Sequence, residues 1–126
     1  MHTKDTAEIM RRFNQAFHDH DPSPLADLVA PDCVMESIQP APNGTRYEGY
    51  RDCLDFWEAL AADQTSCFEV EDTVTMDDRA VIRWRFNYDG GSVRGVTLMR
   101  VGDGHILEAL GYAKSPGETA PLPAVN

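Results

Sequence analysis

The sequence predicts an α+β domain in which three helices lie on one face of a curved, mainly antiparallel sheet. Three observations carry this expectation. Apolar residues recur at helical spacing through the first half of the chain. Near Cys67 the apolar period falls from about 3.6 residues to about 2. Every connection after that point is too short for a parallel crossover. The 126 residues show no internal repeat and no boundary, so residues 1–126 read as one domain.

The first helix rests on Ile9, Phe13, Ala16 and Phe17, with Met10 beside them, one apolar face of an amphipathic segment. Asp5 followed by Glu8 reads as a capping box at its start, and Pro22 follows its end. Ser23-Pro24 predicts a second, short helix carrying Leu25, Leu28 and Val29, halted before Pro31. Residues 33–38 read as a strand and residues 39–44 as a loop rich in proline and glycine. After Gly49 a third helix follows, with Tyr50, Cys53, Leu54, Trp57, Leu60 and Ala61 on one face.

Four strands come next. Phe68, Val70, Val74 and Met76 alternate with polar residues, and Asp77-Asp78 makes a turn. Ala80, Ile82, Trp84, Phe86 and Tyr88 alternate with Arg79, Arg83, Arg85 and Asn87. Residues 92–101 and 105–113 form a closing hairpin about Gly102-Asp103-Gly104. Residues 115–126 carry three prolines and little to bury, and are expected to be a loose tail. Helices gathered on one face of a curved sheet enclose a tapered cavity, the natural place for a ligand.

The formal net charge of −10 excludes a nucleic-acid partner, which needs a basic surface to replace counterions, and docking on anionic lipid. It favours a small neutral or apolar ligand. No apolar run approaches the roughly 20 residues of a membrane span, and no basic segment followed by an apolar stretch opens the chain. Cys33, Cys53 and Cys67 have neither the number nor the spacing of a disulfide framework or zinc site. They read as small buried hydrophobes in a cytoplasmic protein. No phosphate-binding glycine loop and no metal-ligand spacing is present, so no cofactor is expected.

Three stretches carry a family resemblance. Residues 28–36, with Pro31-Asp32 leading into a strand, resemble the first-strand signature of the nuclear transport factor 2-like superfamily. Residues 47–52 with Phe56-Trp57 resemble its helix start, and residues 94–106 resemble its closing hairpin. The resemblance spans about residues 5–114 and is nearest to the SnoaL-like and ketosteroid-isomerase-like proteins. It implies a cone-shaped fold and a small-molecule cavity; isomerases, cyclases, dehydratases, epoxide hydrolases and non-enzymes all use such a fold.

Carried over position by position, the resemblance withdraws three mechanisms. Phe13 stands where the isomerases place a tyrosine, and Thr97 where they place a protonated aspartate. Ser37 falls at the base, with Glu36 adjacent. Gly111 falls where SnoaL-type cyclases carry an aspartate, which also removes the carboxylate pair of limonene-type epoxide hydrolases.

Glu36 then remains the first candidate for a general base, because a carboxylate in an apolar strand would be desolvated. Thr97 or Tyr50 would be its hydrogen-bond partner. Asp72 is the second-choice acid or base, unless a bulge at Glu71-Asp72 turns it outward. Phe13, Phe17, Met35, Tyr50, Trp57, Trp84, Met99 and Ala109 are the expected substrate-binding wall. His18 and His20 suit a helix C-terminus better than a metal, and His105 reads as solvated. Arg83, Arg85, Arg94 and Arg100 are expected on the outer sheet face, paired with acids, where a homodimer would form. The resulting expectation is a cofactor-independent acid/base enzyme on a small apolar metabolite. A non-catalytic binding domain or a dimeric interaction module is the alternative.

Overall fold

The computed structural model describes residues 3–40 and 42–114; the expected tail lies outside the described residues. Helix α1 (Thr3–His18) is followed by a 3₁₀ turn (Ser23–Asp27), strands β1 (Val29–Glu36) and β2 (Arg46–Glu48), and helix α2 (Tyr50–Ala62). Strands β3 (Cys67–Met76), β4 (Arg79–Tyr88), β5 (Gly91–Gly102) and β6 (His105–Ala113) complete the chain. The six strands form one sheet in the order β2-β1-β6-β5-β4-β3. The sheet is mixed: β1 and β6 run parallel, and every other neighbouring pair is antiparallel.

The two α-helices bury their apolar stripes against one face of this sheet. Met10, Phe13, Ala16 and Phe17 of α1 and Cys53, Leu54, Trp57 and Ala61 of α2 are all buried. They meet Met35, Ala80, Ile82, Met99 and Ala109 from the strands. Each large apolar side chain removed from water contributes roughly 1.5–3 kcal/mol. Thr6, fully buried, donates its hydroxyl to the Asp77 carbonyl and so ties the start of α1 to the β3–β4 turn.

Four expectations need correction. Among the described residues there are two α-helices, not three; the predicted second helix is a single 3₁₀ turn. Its five residues are squeezed between Pro22 and a strand that already begins at Val29. Pro31 lies inside β1, where the β1–β6 register breaks between Val29 and Val34 and asks no ladder hydrogen bond of it. Helix α1 begins at Thr3, so Asp5 sits in its first turn rather than at its cap. Strand β2, three residues long and at the sheet edge, carries too short a pattern to be seen in the sequence.

The fourth correction concerns β3. Val70 faces Trp84, but Asp72 faces Arg83, so Glu71 is an extra residue that reverses the side-chain parity beyond it. Asp72 turns outward, as does the rest of its register. Val74 and Met76, expected on the apolar inward face, are 54% and 70% exposed on the outer one. Thr73 and Thr75 take the inward positions toward α1.

Candidate functional site

The helices do not fill the whole inner face of the sheet. A cavity of about 650 Å³ remains between α1, α2 and the strands. Its wall is a continuous run of aromatic rings. Phe13 meets Phe17 at 4.9 Å and Trp57 edge-on at 5.1 Å between centroids. Phe17 meets Phe68 at 5.7 Å, and Phe68 meets Trp84 at 5.3 Å and Phe86 at 4.5 Å. Tyr47 and Phe56, 4.9 Å apart, line the side nearer β2. Tilted and edge-on pairs of this kind hold one another in place and leave flat apolar faces for a ligand.

Few polar groups enter this wall. The Trp84 indole Nε1 donates to Thr97 Oγ1 at 2.9 Å. Gly95, the register partner of Trp84, makes this possible: a Cβ there would lie 2.6 Å from the Trp84 ring. Since Thr97 Oγ1 accepts from the indole, its own proton is available to the cavity. Gly111 sits directly opposite Thr97 on β6 and lines the cavity beside it, where a Cβ would stand 3.1 Å from the Glu36 carbonyl oxygen and 3.3 Å from Ile38. The Ser37 hydroxyl donates to the Gln39 carbonyl at 2.9 Å, and Asn14 donates to Thr73 Oγ1 at 3.2 Å.

Of the eight wall residues expected from sequence, Phe13, Phe17, Met35, Trp57, Trp84 and Ala109 line the cavity. Tyr50 and Met99 do not. Tyr50, at the first position of α2, donates its hydroxyl to the Ala26 carbonyl at 2.8 Å and pins the 3₁₀ turn. Met99 is 2% exposed in the closed core between Ala80 and Ala109. Sequence reasoning missed Asn14, Tyr47, Phe56, Phe68, Phe86 and Ile38. Phe68 and Phe86 had a usable signal, since both share the inward parity of Trp84.

Thr97 therefore faces the cavity, and Glu36 does not turn its carboxylate the same way. Glu36 borders the cavity mouth, but its register partners are Leu110 on β6 and Arg46 on β2. That is the parity opposite Met35, Tyr47 and Ala109, which line the wall. Its Oε2 accepts from Arg46 Nη1 at 3.1 Å, and Arg46 also donates to Glu48 at 2.6 Å. Asp72 lies on the outer face opposite Arg83 and outside the cavity.

The remaining candidates stand apart from the cavity. His20 Nδ1 lies 3.2 Å from the Ala61 carbonyl at the end of α2, a capping contact. Burial pushes the Cys33 thiol up, so it stays protonated; Cys53 Sγ lies 3.4 Å from the Cys33 carbonyl. Cys67, expected to be buried, is exposed at the start of β3. Arg94 pairs with Glu71 at 3.0 Å and Arg100 approaches Glu108 at 3.8 Å. Among the described residues, no three His, Cys, Asp or Glu side chains gather where they could share a metal ion.

The SnoaL-like domain family matches residues 10–109, and the chain belongs to it. A nuclear transport factor 2-like protein of unknown function from Mesorhizobium loti is 51% identical, with a TM-score of 0.86 over 90% of this chain and 93% of that one. Two further structures share the fold at low identity. A steroid delta-isomerase from Pseudomonas aeruginosa is 17% identical, with a TM-score of 0.73 over 89% of this chain and 81% of that one. An LEH-like epoxide hydrolase from M. tuberculosis is 14% identical, with a TM-score of 0.69 over 88% and 84%. No curated protein matches the chain. Among the described residues, no helix is long and apolar enough to cross a membrane.

Proposed function

We propose that this protein binds a small, neutral, largely apolar molecule that places a hydrogen-bond acceptor in the aromatic cavity, and that it does so without acid/base chemistry. The single observation that supports this most is an aromatic cavity lined by the Thr97 hydroxyl, which accepts from Trp84 and so has its proton left to donate. A neutral site of this kind suits a ketone, ether or alcohol oxygen, and it would desolvate an anion at a cost.

A second reading is an isomerase-, cyclase- or dehydratase-type enzyme with Glu36 as general base. Its support is that Glu36 borders the cavity mouth. It requires the carboxylate to leave Arg46 and cross to the other side of β1, which makes it the weaker reading.

Titration with an uncharged solvatochromic naphthalene dye separates the two. Binding should be saturable with a blue-shifted emission, lost in a folded Gly111→Leu, whose side chain crowds the Glu36 carbonyl and occupies the cavity beside Thr97, and kept in Glu36→Gln. No binding by a folded wild type would sink the proposal.

We also propose a homodimer through the outer sheet face. Val74, Val81 and Leu98 lie side by side there, 54%, 39% and 41% exposed, with Tyr112 beyond them at 54%. Asp72 and Arg83 share that face with Glu108 and Arg100, so a two-fold copy can offer each arginine an acid. A cytoplasmic location fits three free cysteines.

A further inference from the structure

We propose that the cavity continues past Asn14, Phe68 and Val70 into a groove between α1 and β3. Its ligand would then be an elongated amphiphile whose neutral, hydroxylated end lies in that groove. This rests on the small-molecule reading above and extends it.

The groove has a volume of about 690 Å³, and Asn14, Phe68 and Val70 line both it and the aromatic cavity. The two spaces thus share these three side chains as a common wall. Val70 is 40% exposed although it shares the inward parity of Phe68 and Trp84. An inward-facing apolar residue left open in this way marks the place where α1 fails to cover the strand.

The bulge at Glu71 sets the chemistry of the groove. Without it, Val74 and Met76 would face α1; with it, Thr73 and Thr75 do. Arg11, His18 and Glu69 also line the groove, and two of the three have side-chain partners. Arg11 donates to Glu8 at 2.8 and 2.7 Å, and Glu69 accepts from Asn87 at 3.3 Å. Gln15 is likewise tied, donating to Asp19 at 2.9 Å. Between these charged residues, on the strand and helix faces that meet, the open groups are neutral. Thr73 accepts from Asn14 and keeps its proton to donate, Asn14 keeps its carbonyl oxygen to accept, and Thr75 keeps its hydroxyl. Alternating neutral donors and acceptors beside an apolar passage fit a polyol or sugar-like end attached to an apolar body.

The probes are 1-octanol and octyl glucoside, which share one apolar chain and differ in the polyol. Each is titrated to displace the naphthalene dye, below micelle-forming concentration. The glucoside should displace the dye at least about 5-fold more tightly, the worth of roughly one net hydrogen bond. Thr73→Val with Thr75→Val should erase that advantage and leave octanol and dye binding unchanged. Thr75→Val alone, which breaks no hydrogen bond within the described residues, should reduce the advantage and guards against misfolding of the double variant. Equal displacement by the two probes in the wild type would overturn the proposal, as would a glucoside preference that survives both variants. A wild type that binds no dye at all would instead overturn the cavity reading, and this inference with it.

Discussion

Trp84 Nε1 and Thr97 Oγ1 stand 2.9 Å apart across adjacent strands, with the indole donating and the hydroxyl accepting. This one contact occupies a lone pair of Thr97 Oγ1 and leaves its proton to be donated elsewhere. It also spares the buried indole N–H the roughly 1–3 kcal/mol cost of going unpaired. The pair depends on the diagonal offset between β4 and β5, because Thr97 lies two residues beyond Gly95, the register partner of Trp84.

Gly95→Ala should expose that dependence. The added Cβ would stand 2.3 Å from the Tyr112 carbonyl and 2.6 Å from the Trp84 ring, both closer than atoms can pack. Overpacking of this kind costs typically 1–3 kcal/mol. Denaturant melts should show that loss, and tryptophan fluorescence should report a displaced indole. An unchanged melt would mean that the Trp84 ring does not lie on β5.

Low pH should weaken the turn after α2. The Thr65 hydroxyl, donating to Asp63 Oδ1 at 2.6 Å, holds the Asp63 carboxyl below the usual carboxylate range. The Thr65 backbone N–H, at 2.8 Å, the Ser66 hydroxyl and the charge of His20 act in the same direction. A depressed folded-state pKa means stability that is full above the unfolded value, about 3.9 for aspartate, and lost as pH falls through the folded value. Asp63→Asn should therefore flatten the acid limb of stability against pH. Equal acid limbs in the two proteins would contradict this.

The outer face should hold two copies together. Leu98 lies between Val81 and Leu110 in the register, at the middle of the exposed apolar strip. Sedimentation at micromolar concentration should give a dimer for the wild type and a monomer for Leu98→Asp. A monomeric wild type would remove the proposed interface.

The sequence carried the elements whose patterns are long. Ile9, Phe13 and Phe17 repeat over about two turns of α1, and Ala80, Ile82 and Trp84 alternate without interruption in β4, so both elements could be placed from apolar period alone. The 3₁₀ turn and β2 were hidden because five and three residues hold no period. The facing of Glu36, inward or paired with an arginine, is open in the sequence for a different reason. Parity alone cannot say which face of a strand is inward when Val34 and Met35 are both apolar, and the partner that settles it, Arg46, lies in the unseen strand. The bulge at Glu71 was legible only as an option for Asp72. Its larger effect, exchanging Val74 and Met76 for Thr73 and Thr75, needed the register across β4.

On the reading proposed above, the cavity recognises a neutral acceptor through Thr97 rather than acting through Glu36. Fluorenone and fluorene test it most directly, because they share a shape and differ by one carbonyl oxygen. Equilibrium titration of the wild type should favour fluorenone by about 5-fold or more. Thr97→Val, which keeps the shape and removes the donor, should bring the two ligands level, while Glu36→Gln should leave the preference intact. A preference for fluorenone that survives Thr97→Val, or that disappears in Glu36→Gln, would contradict the account.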